Sequence, residues 1–367
     1  MPTVFAMQAG GGDDLSGARS GSSEKGKGVG MKRVCAFAAS LFLMASSLYA
    51  ADTTPLKLEK ATPMPAVTGG DFDHFAVDRK NNRLYVVSED YASIEVFDAR
   101  TGEHLQSVLG VVKSPRKIAL LEDKGELMVN DAGTASCKFL DAKDLHVIAS
   151  VPLEPGPDAG VYDPAARIFY VGNGGKAAHA ESAYVSLISV DKRAVVGRIE
   201  VPATTLKTVV LDAKNDRLYV TMRDKNQIAV IDLKQRKVER VFSNPELHVD
   251  SAMALDAAHH RLFVGDRKPG KLVVLNSDDG SVVATLPLGD TSDDMTYDGA
   301  DGRLYSSSAE GVDVIGQDSP NMYHELQHVD TKGGKVSIYV PWLKRYFVAH
   351  TKDERSPVAE LLIYDVR

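Results

Sequence analysis

The chain reads as an all-β protein, a seven-bladed β-propeller with four antiparallel strands per blade. Three observations predict it. A short apolar strand motif returns seven times at a nearly fixed interval, and each return carries the same order of strands and turns. The last unit also runs out one strand short, while a spare strand precedes the first.

The recurring strand reads Arg83-Leu84-Tyr85-Val86, Glu126-Leu127-Met128-Val129, Ile168-Phe169-Tyr170-Val171, Arg217-Leu218-Tyr219-Val220, Arg261-Leu262-Phe263-Val264, Arg303-Leu304-Tyr305-Ser306 and Arg345-Tyr346-Phe347-Val348. Successive copies are 43, 42, 49, 44, 42 and 42 residues apart. A period held over six intervals is one structural unit repeated. Each unit begins with an inner strand that ends in Asp and a turn, as in Phe75-Ala76-Val77-Asp78 and Ala254-Leu255-Asp256. After the recurring second strand comes a third, such as Ile94-Glu95-Val96-Phe97-Asp98 or Ile228-Ala229-Val230-Ile231-Asp232. An Asx- and Gly-rich turn, the chemistry that tolerates tight reversal, then leads to a fourth, such as Val282-Val283-Ala284-Thr285-Leu286. Four short antiparallel strands, repeated, make a propeller blade. A β-sandwich has no reason to keep such a period, and eight blades would need more chain than residues 51–367, which allow about 45 per unit over seven.

The seventh unit stops at Arg367, directly after its third strand. Leu56-Lys57-Leu58-Glu59-Lys60 has the alternation to supply the missing outer strand and zip the ends of the domain together. Tyr85, Met128, Tyr170, Tyr219, Phe263, Tyr305 and Phe347 fall at equivalent positions, and one large side chain per blade is what packing between blades needs. The recurrent Arg residues are expected to anchor to the Asp at the preceding strand end, Arg83 to Asp78 and Arg261 to Asp256.

The matches Leu218-Tyr219-Val220-Thr221, Phe169-Tyr170-Val171-Gly172-Asn173 and Leu84-Tyr85-Val86-Val87 resemble the YVTN-type repeat propellers, named for a Tyr-Val-Thr-Asn second-strand motif. The resemblance spans nearly all of residues 56–367. It implies the fold and an exported or surface-associated bacterial or archaeal protein. It implies no activity, because the motif residues are structural.

Upstream of the repeats, Lys32-Arg33, the apolar run Val34–Leu43 and the small residues up to Ala50-Ala51 follow the order of a secretory signal peptide, with cleavage expected after Ala50. The apolar core is too short for a membrane span. The expected organisation is therefore an extension or mis-annotated start over 1–30, a signal peptide over 31–50 and one propeller domain over 51–367. The destination is the bacterial periplasm or the extracellular space. Cys137 is then the single cysteine of the mature chain, which rules out an intrachain disulfide. Hydrophobic residues make up 44% and charged residues 25% of the chain, a balance suited to a folded core. Residues 1–50 hold five basic and three acidic groups, so the remainder carries a net charge of -9 and nucleic acid is not the expected partner.

Loops that enter the inner strands open on one face, so the polar residues there converge on the channel mouth. The candidate ligand-binding set is Asp73, His74, Arg116, Lys117, Asp158, Lys207, Asp250, Asp293, Asp294 and Lys335, with Asp71, His248 and Lys332 nearby. Its mixed sign fits a polar or zwitterionic small molecule, and a peptide or protein partner remains open. The domain is expected to act as a monomer. The competing expectation is a divalent metal on Asp73, His74, Asp158, Asp250 and Asp294, since hard cations want several carboxylate oxygens. Such a metal would activate water for lactone or ester hydrolysis, distantly like gluconolactonase-type propellers, with His74 as the candidate proton carrier. Pairing of Arg116, Lys117, Lys207 and Lys335 with these carboxylates would instead favour a ligand site or structural network. Two strand-two-to-three insertions, 174–184 and 350–357, are expected to overhang the same face. No serine elbow, phosphate loop, dinucleotide fingerprint or haem motif occurs.

Overall fold

Seven four-stranded antiparallel sheets stand radially around one axis in the computed structural model, which describes residues 54–367 apart from 268 and 355, with only the backbone of 249–251. The expected extension 1–30 and signal peptide 31–50 lie outside the described residues. The inner strands are Phe72–Asp78, Pro115–Leu121, Gly160–Asp163, Leu206–Asp212, Val249–Asp256, Asp294–Asp298 and Val336–Val340. Each touches the next around the ring, and the seventh touches the first.

Turn chemistry sets the repeat. One residue with positive φ stands directly before every second strand: Asn82, Gly125, Arg167, Asp216, His260, Gly302 and Lys344. The Asp at the inner-strand end braces that turn itself. Asp78 accepts hydrogen bonds from Asn81 N and Nδ2 at 3.0 and 2.7 Å, and Asp212 does the same for Asn215 at 3.2 and 2.8 Å. The expected Arg-to-Asp anchors are therefore replaced. A carboxylate filled by its own turn has little left for a neighbour. Arg261 instead donates to Pro320 O at 2.8 Å and Asn321 at 2.7 Å in the next blade, and Arg345 pairs with Glu59 at 2.8 Å.

Second and third strands lie between neighbouring sheets, which is why they read as nearly continuous apolar runs. All seven equivalent large side chains are buried, from 0% to 4% exposed. They join blades as well as fill space. Tyr85 donates its hydroxyl to Ala142 O in the next blade at 2.6 Å, and Tyr219 donates to Ser277 O in the next at 3.1 Å. Apolar clusters cross the same boundaries, with Tyr85, Val87 and Val96 packed on Ile118, Leu127 and Val129.

The strand Leu56–Pro63 pairs antiparallel with Glu360–Val366, from Leu56 opposite Val366 to Pro63 opposite Glu360. The last blade is thus completed from the N-terminal side, as the repeat count predicts. Removing residues 54–63 leaves the Glu360–Val366 edge unpaired, so a sharply lower melting temperature and concentration-dependent association are expected. The milder Leu56→Ala, at a 2% exposed side chain, should cost about 2–5 kcal/mol. Unchanged melting of the truncated chain would show that this strand does not hold the ring.

Candidate functional site: a charged ring at the channel mouth

A common register identifies equivalent axial positions. In every blade one inner-strand residue pairs with the residue just after the second-strand aromatic or methionine. The pairs are Phe75 with Val86, Ile118 with Val129, Gly160 with Val171, Val209 with Val220, Met253 with Val264, Met295 with Ser306 and Ser337 with Val348. Two residues ahead of that anchor, six blades present Asp73, Arg116, Asp158, Lys207, Asp293 and Lys335. The signs alternate around the ring.

Neighbouring blades therefore pair. Lys207 Nζ lies 2.7 Å from Asp158, and Lys335 Nζ lies 3.0 Å from Asp293 and 3.1 Å from Asp71. Arg116 faces Asp73 at 4.0 Å and donates a short hydrogen bond to Glu89. Arg267 donates one to Asp293. The ring encloses a cavity of about 340 Å³.

One residue deeper stand His74, Lys117, Thr208 and Asp294. In blades one, two and four the inner strand carries an extra residue at this level. Residues 72–75, 115–118 and 206–209 each face only two steps of the second strand. Such a bulge re-aims side chains, so two consecutive residues face the axis where a regular strand would present alternate ones. Asp73 and His74 both line the cavity, as do Lys207 and Thr208, and in blade six Asp293 and Asp294 do so without a bulge.

His74 is the centre of this layer. Its Nδ1 lies 3.0 Å from Asp294 Oδ1 and its Nε2 lies 3.5 Å from Asp73 Oδ1. The other Asp294 oxygen accepts the Ser337 N–H at 3.0 Å. Burial disfavours the imidazolium and Lys117 adds to that, yet Asp294 and Asp73 together hold His74 above its ordinary value. Burial raises Asp73 to about 7, against the pull of His74 and Arg116. Asp294, although burial opposes its charge, is held below the usual carboxylate range by His74 and Lys117. Lys117 is lowered by burial, against the attraction of Asp294, Asp73 and Asp158.

Of the ten candidates, eight line the mouth cavity: Asp73, His74, Arg116, Asp158, Lys207, Asp293, Asp294 and Lys335. Lys117 faces a second cavity further down the inner strands, of about 860 Å³, with Phe75, Ile118, Leu120 and Tyr162. The Asp250 side chain lies outside the description, and Lys332 pairs with Glu360 at 2.7 Å, away from the cavity lining. Glu89, Arg223 and Arg267 also line the mouth, and inner-strand entries alone do not reveal them. Their signal is positional, since each stands three residues after the second-strand anchor of its blade.

The insertion in blade three adds a side slot of about 400 Å³ that shares Arg116, Asp158 and Lys207 with the mouth. Its wall is fixed by backbone, with Gly174 N bonded to Pro155 O at 2.8 Å and Lys176 N to Thr204 O at 2.9 Å. Gly175 is required there, because a Cβ would meet Thr204 O at 2.2 Å and its φ is +57°.

Among the described residues, a three-ligand group suited to a metal is Asp141, Asp144 and His146, whose donor atoms lie within 4.8 Å of one another. It sits at the end of a third strand, on the face opposite the mouth: Asp141 pairs with Glu126, whereas the mouth end of that third strand is Ser136, opposite Asp131. Two carboxylates and an imidazole suit a zinc-like ion. The turn already uses some of these atoms, since Asp144 Oδ1 accepts His146 N at 3.1 Å and contacts Nδ1 at 2.6 Å. No described helix is long and apolar enough to cross a membrane.

No family model and no curated protein matches the chain. Among solved structures, Kuenenia stuttgartiensis hydrazine synthase aligns with a TM-score of 0.65 at 16% identity, over 79% of this chain and 93% of that one. A chain of a mitotic checkpoint complex aligns at 0.68 and 13%, over 91% and 99%. At such identities the likeness speaks to the propeller fold.

Asp73 gains its proton in the fold at higher pH than in the unfolded chain, so the native state binds more protons between 3.8 and about 7. Its contribution to stability is full below that interval and falls as pH rises through it. His74 has the same sign, present below 6.5 and lost above its raised folded value, while Asp294 has the opposite one. Asp73→Asn removes the carboxyl that carries this pH dependence. Its melting temperature relative to the unsubstituted protein should be more favourable at about pH 8 than at about pH 5. Parallel melting curves for the two proteins would refute the role given to Asp73.

Proposed function

We propose that this chain is an exported YVTN-type repeat propeller that binds a small polar ligand, bearing an anionic group, at the mouth of its channel. The observation that carries the reading is the ring of alternating charge, in which Asp158, Asp293 and Asp73 each face a basic side chain of an adjacent blade. Carboxylates so neutralised are poor company for a bare divalent cation, which wants several free carboxylate oxygens. They suit a ligand that offers both signs or many hydrogen-bonding groups. The repeat motifs support the family assignment, and the leader-like segment over 31–50 supports export.

The Asp141, Asp144 and His146 group favours a second reading, metal-dependent hydrolysis of lactones or related esters. On this reading the metal and its water belong to the face opposite His74. His74 would then have no part in the reaction.

One pair of measurements separates the two. Zinc titration by calorimetry, repeated with Asp144→Asn, reports whether that turn holds a metal. Lactone hydrolysis before and after chelation reports whether the metal works. Ligand binding at the mouth predicts chelator-insensitive binding of small zwitterions that Lys207→Ala weakens by about tenfold, the loss of a charge-assisted contact. Hydrolysis abolished by chelation and by Asp144→Asn, with mouth variants silent, would replace that reading with the second.

A further inference from the structure

The repeat interval of 49 residues at blade three, against 42 to 44 elsewhere, is the extra chain that builds the side slot of about 400 Å³. The slot meets the mouth at Arg116, Asp158 and Lys207, which line both cavities. Two of the three keep unused capacity there. Asp158 Oδ2 accepts Lys207 Nζ at 2.7 Å, while its Oδ1 accepts no hydrogen bond among the described residues. Arg116 commits Nη1 to Glu89 and faces Asp73 with the same atom, while its Nε and Nη2 make no hydrogen bond among the described residues. An open carboxylate oxygen and an open guanidinium edge, bordering one cavity, offer a negative and a positive contact to the same small molecule.

Behind these charges the slot turns apolar. Its wall includes Gly156, Pro157, Gly172, Ala177, Ala183 and Leu206. Asn173 also borders it but spends its amide on Val171 O at 2.9 Å and Ser186 Oγ at 2.8 Å. The N–H groups of Thr204 and Thr205 go to Asp224. An aliphatic group entering the slot therefore leaves these donors paired, and it gains by leaving water. Small residues keep the space open, since a Cβ on Gly156 would meet the Ala177 Cβ at 2.5 Å. The walls are set before any ligand arrives, with Ala183 N bonded to Ala203 O at 2.7 Å and Gly172 N to Ala159 O at 3.0 Å.

We propose that mouth and slot together bind an aliphatic α-amino acid, with its carboxylate on Arg116, its ammonium on Asp158 and its side chain in the slot. The inference rests on the ligand-binding reading of the mouth and names the class of its ligand. An α-amino acid carries both charges and the side chain on one carbon, so three contacts at the junction of the two cavities fix it. Lys207, which borders the same junction, adds a second cation for the carboxylate.

The test is calorimetry on the intact protein with L-leucine, glycine, L-glutamate, isocaproate and isoamylamine. L-Leucine should bind at least about tenfold more tightly than glycine, each buried methylene counting for about fourfold. Isocaproate and isoamylamine each lack one of the two charges and should also lose about tenfold or more. Ala177→Phe, at an exposed position on the slot wall, should bring leucine down to the level of glycine. The comparison among ligands needs no variant to fold. Equal affinity for leucine and glycine overturns the slot assignment and leaves the mouth as a ligand site. Isocaproate or isoamylamine matching leucine overturns the paired contact with Arg116 and Asp158, and L-glutamate binding more tightly than leucine overturns the aliphatic class. No binding of any of the five overturns the proposal and the mouth's reading as a ligand site together.

Discussion

The pairing of Leu56–Pro63 with Glu360–Val366 is the constraint on which the site depends. Blades pack face to face through apolar side chains, and that attraction is non-directional. Main-chain pairing between the two ends of the domain is directional, and it fixes the seventh blade between the sixth and the first. The central acid–base pair straddles this closure. His74 comes from blade one and Asp294 from blade six, while the second Asp294 oxygen is held by the Ser337 N–H of blade seven at 3.0 Å. Loosening the closing strand would move all three relative to one another.

Closure alone would give a channel lined by every second residue. Bulges at 72–75 and 206–209 bring Asp73 with His74 and Lys207 with Thr208 to the mouth, and the unbulged blade six adds Asp293 with Asp294. A charged upper ring and a deeper layer of His74, Lys117 and Thr208 then fit within one turn of the entry. Three devices hold the irregularity. Thr221 Oγ1 accepts the N–H groups of Lys207 and Thr208 at 3.1 and 2.8 Å. Asp131 accepts Ser114 N at 2.9 Å, and Asp224 accepts both Thr204 N and Thr205 N at about 3.1 Å. The buried carboxylate of Asp131 and the exposed one of Asp224 are thus spent on loop geometry.

The fold was legible because its signals are local and repeated. Tyr85, Tyr219 and their equivalents mark the second strands, and the missing outer strand of the seventh unit pointed to Leu56. The Arg-to-Asp anchors were not legible, because an Asp two or three residues before a turn satisfies that turn first, as Asp78 does with Asn81. The membership of the mouth followed from position before an inner strand. Its pairings did not, since Lys207 meets Asp158 across 49 residues of sequence and only the ring order decides which blade is next. Glu89, Arg223 and Arg267 escaped because they directly follow second strands, which arrive at the same face from the other direction. Asp141, Asp144 and His146 lie within one turn and are local in sequence, yet that spacing belongs to no ligand motif that chemistry singles out.

The two ends of the channel differ in kind. Two residues past the anchor positions, the inner strands present Val77, Leu120, Tyr162, Leu211, Leu255, Tyr297 and Tyr339, all partly buried. Charge above and apolar or aromatic side chains below create a gradient of solvation over a few ångströms. An ion pair in the upper ring keeps contact with water and contributes modestly, as partly exposed pairs do. Charges one layer deeper lose hydration, so their protonation becomes negotiable, and His74, Lys117 and Asp294 all depart from their ordinary values there. Groups with shifted protonation thus lie directly beneath the charged ring, where burial and the neighbouring charges oppose one another.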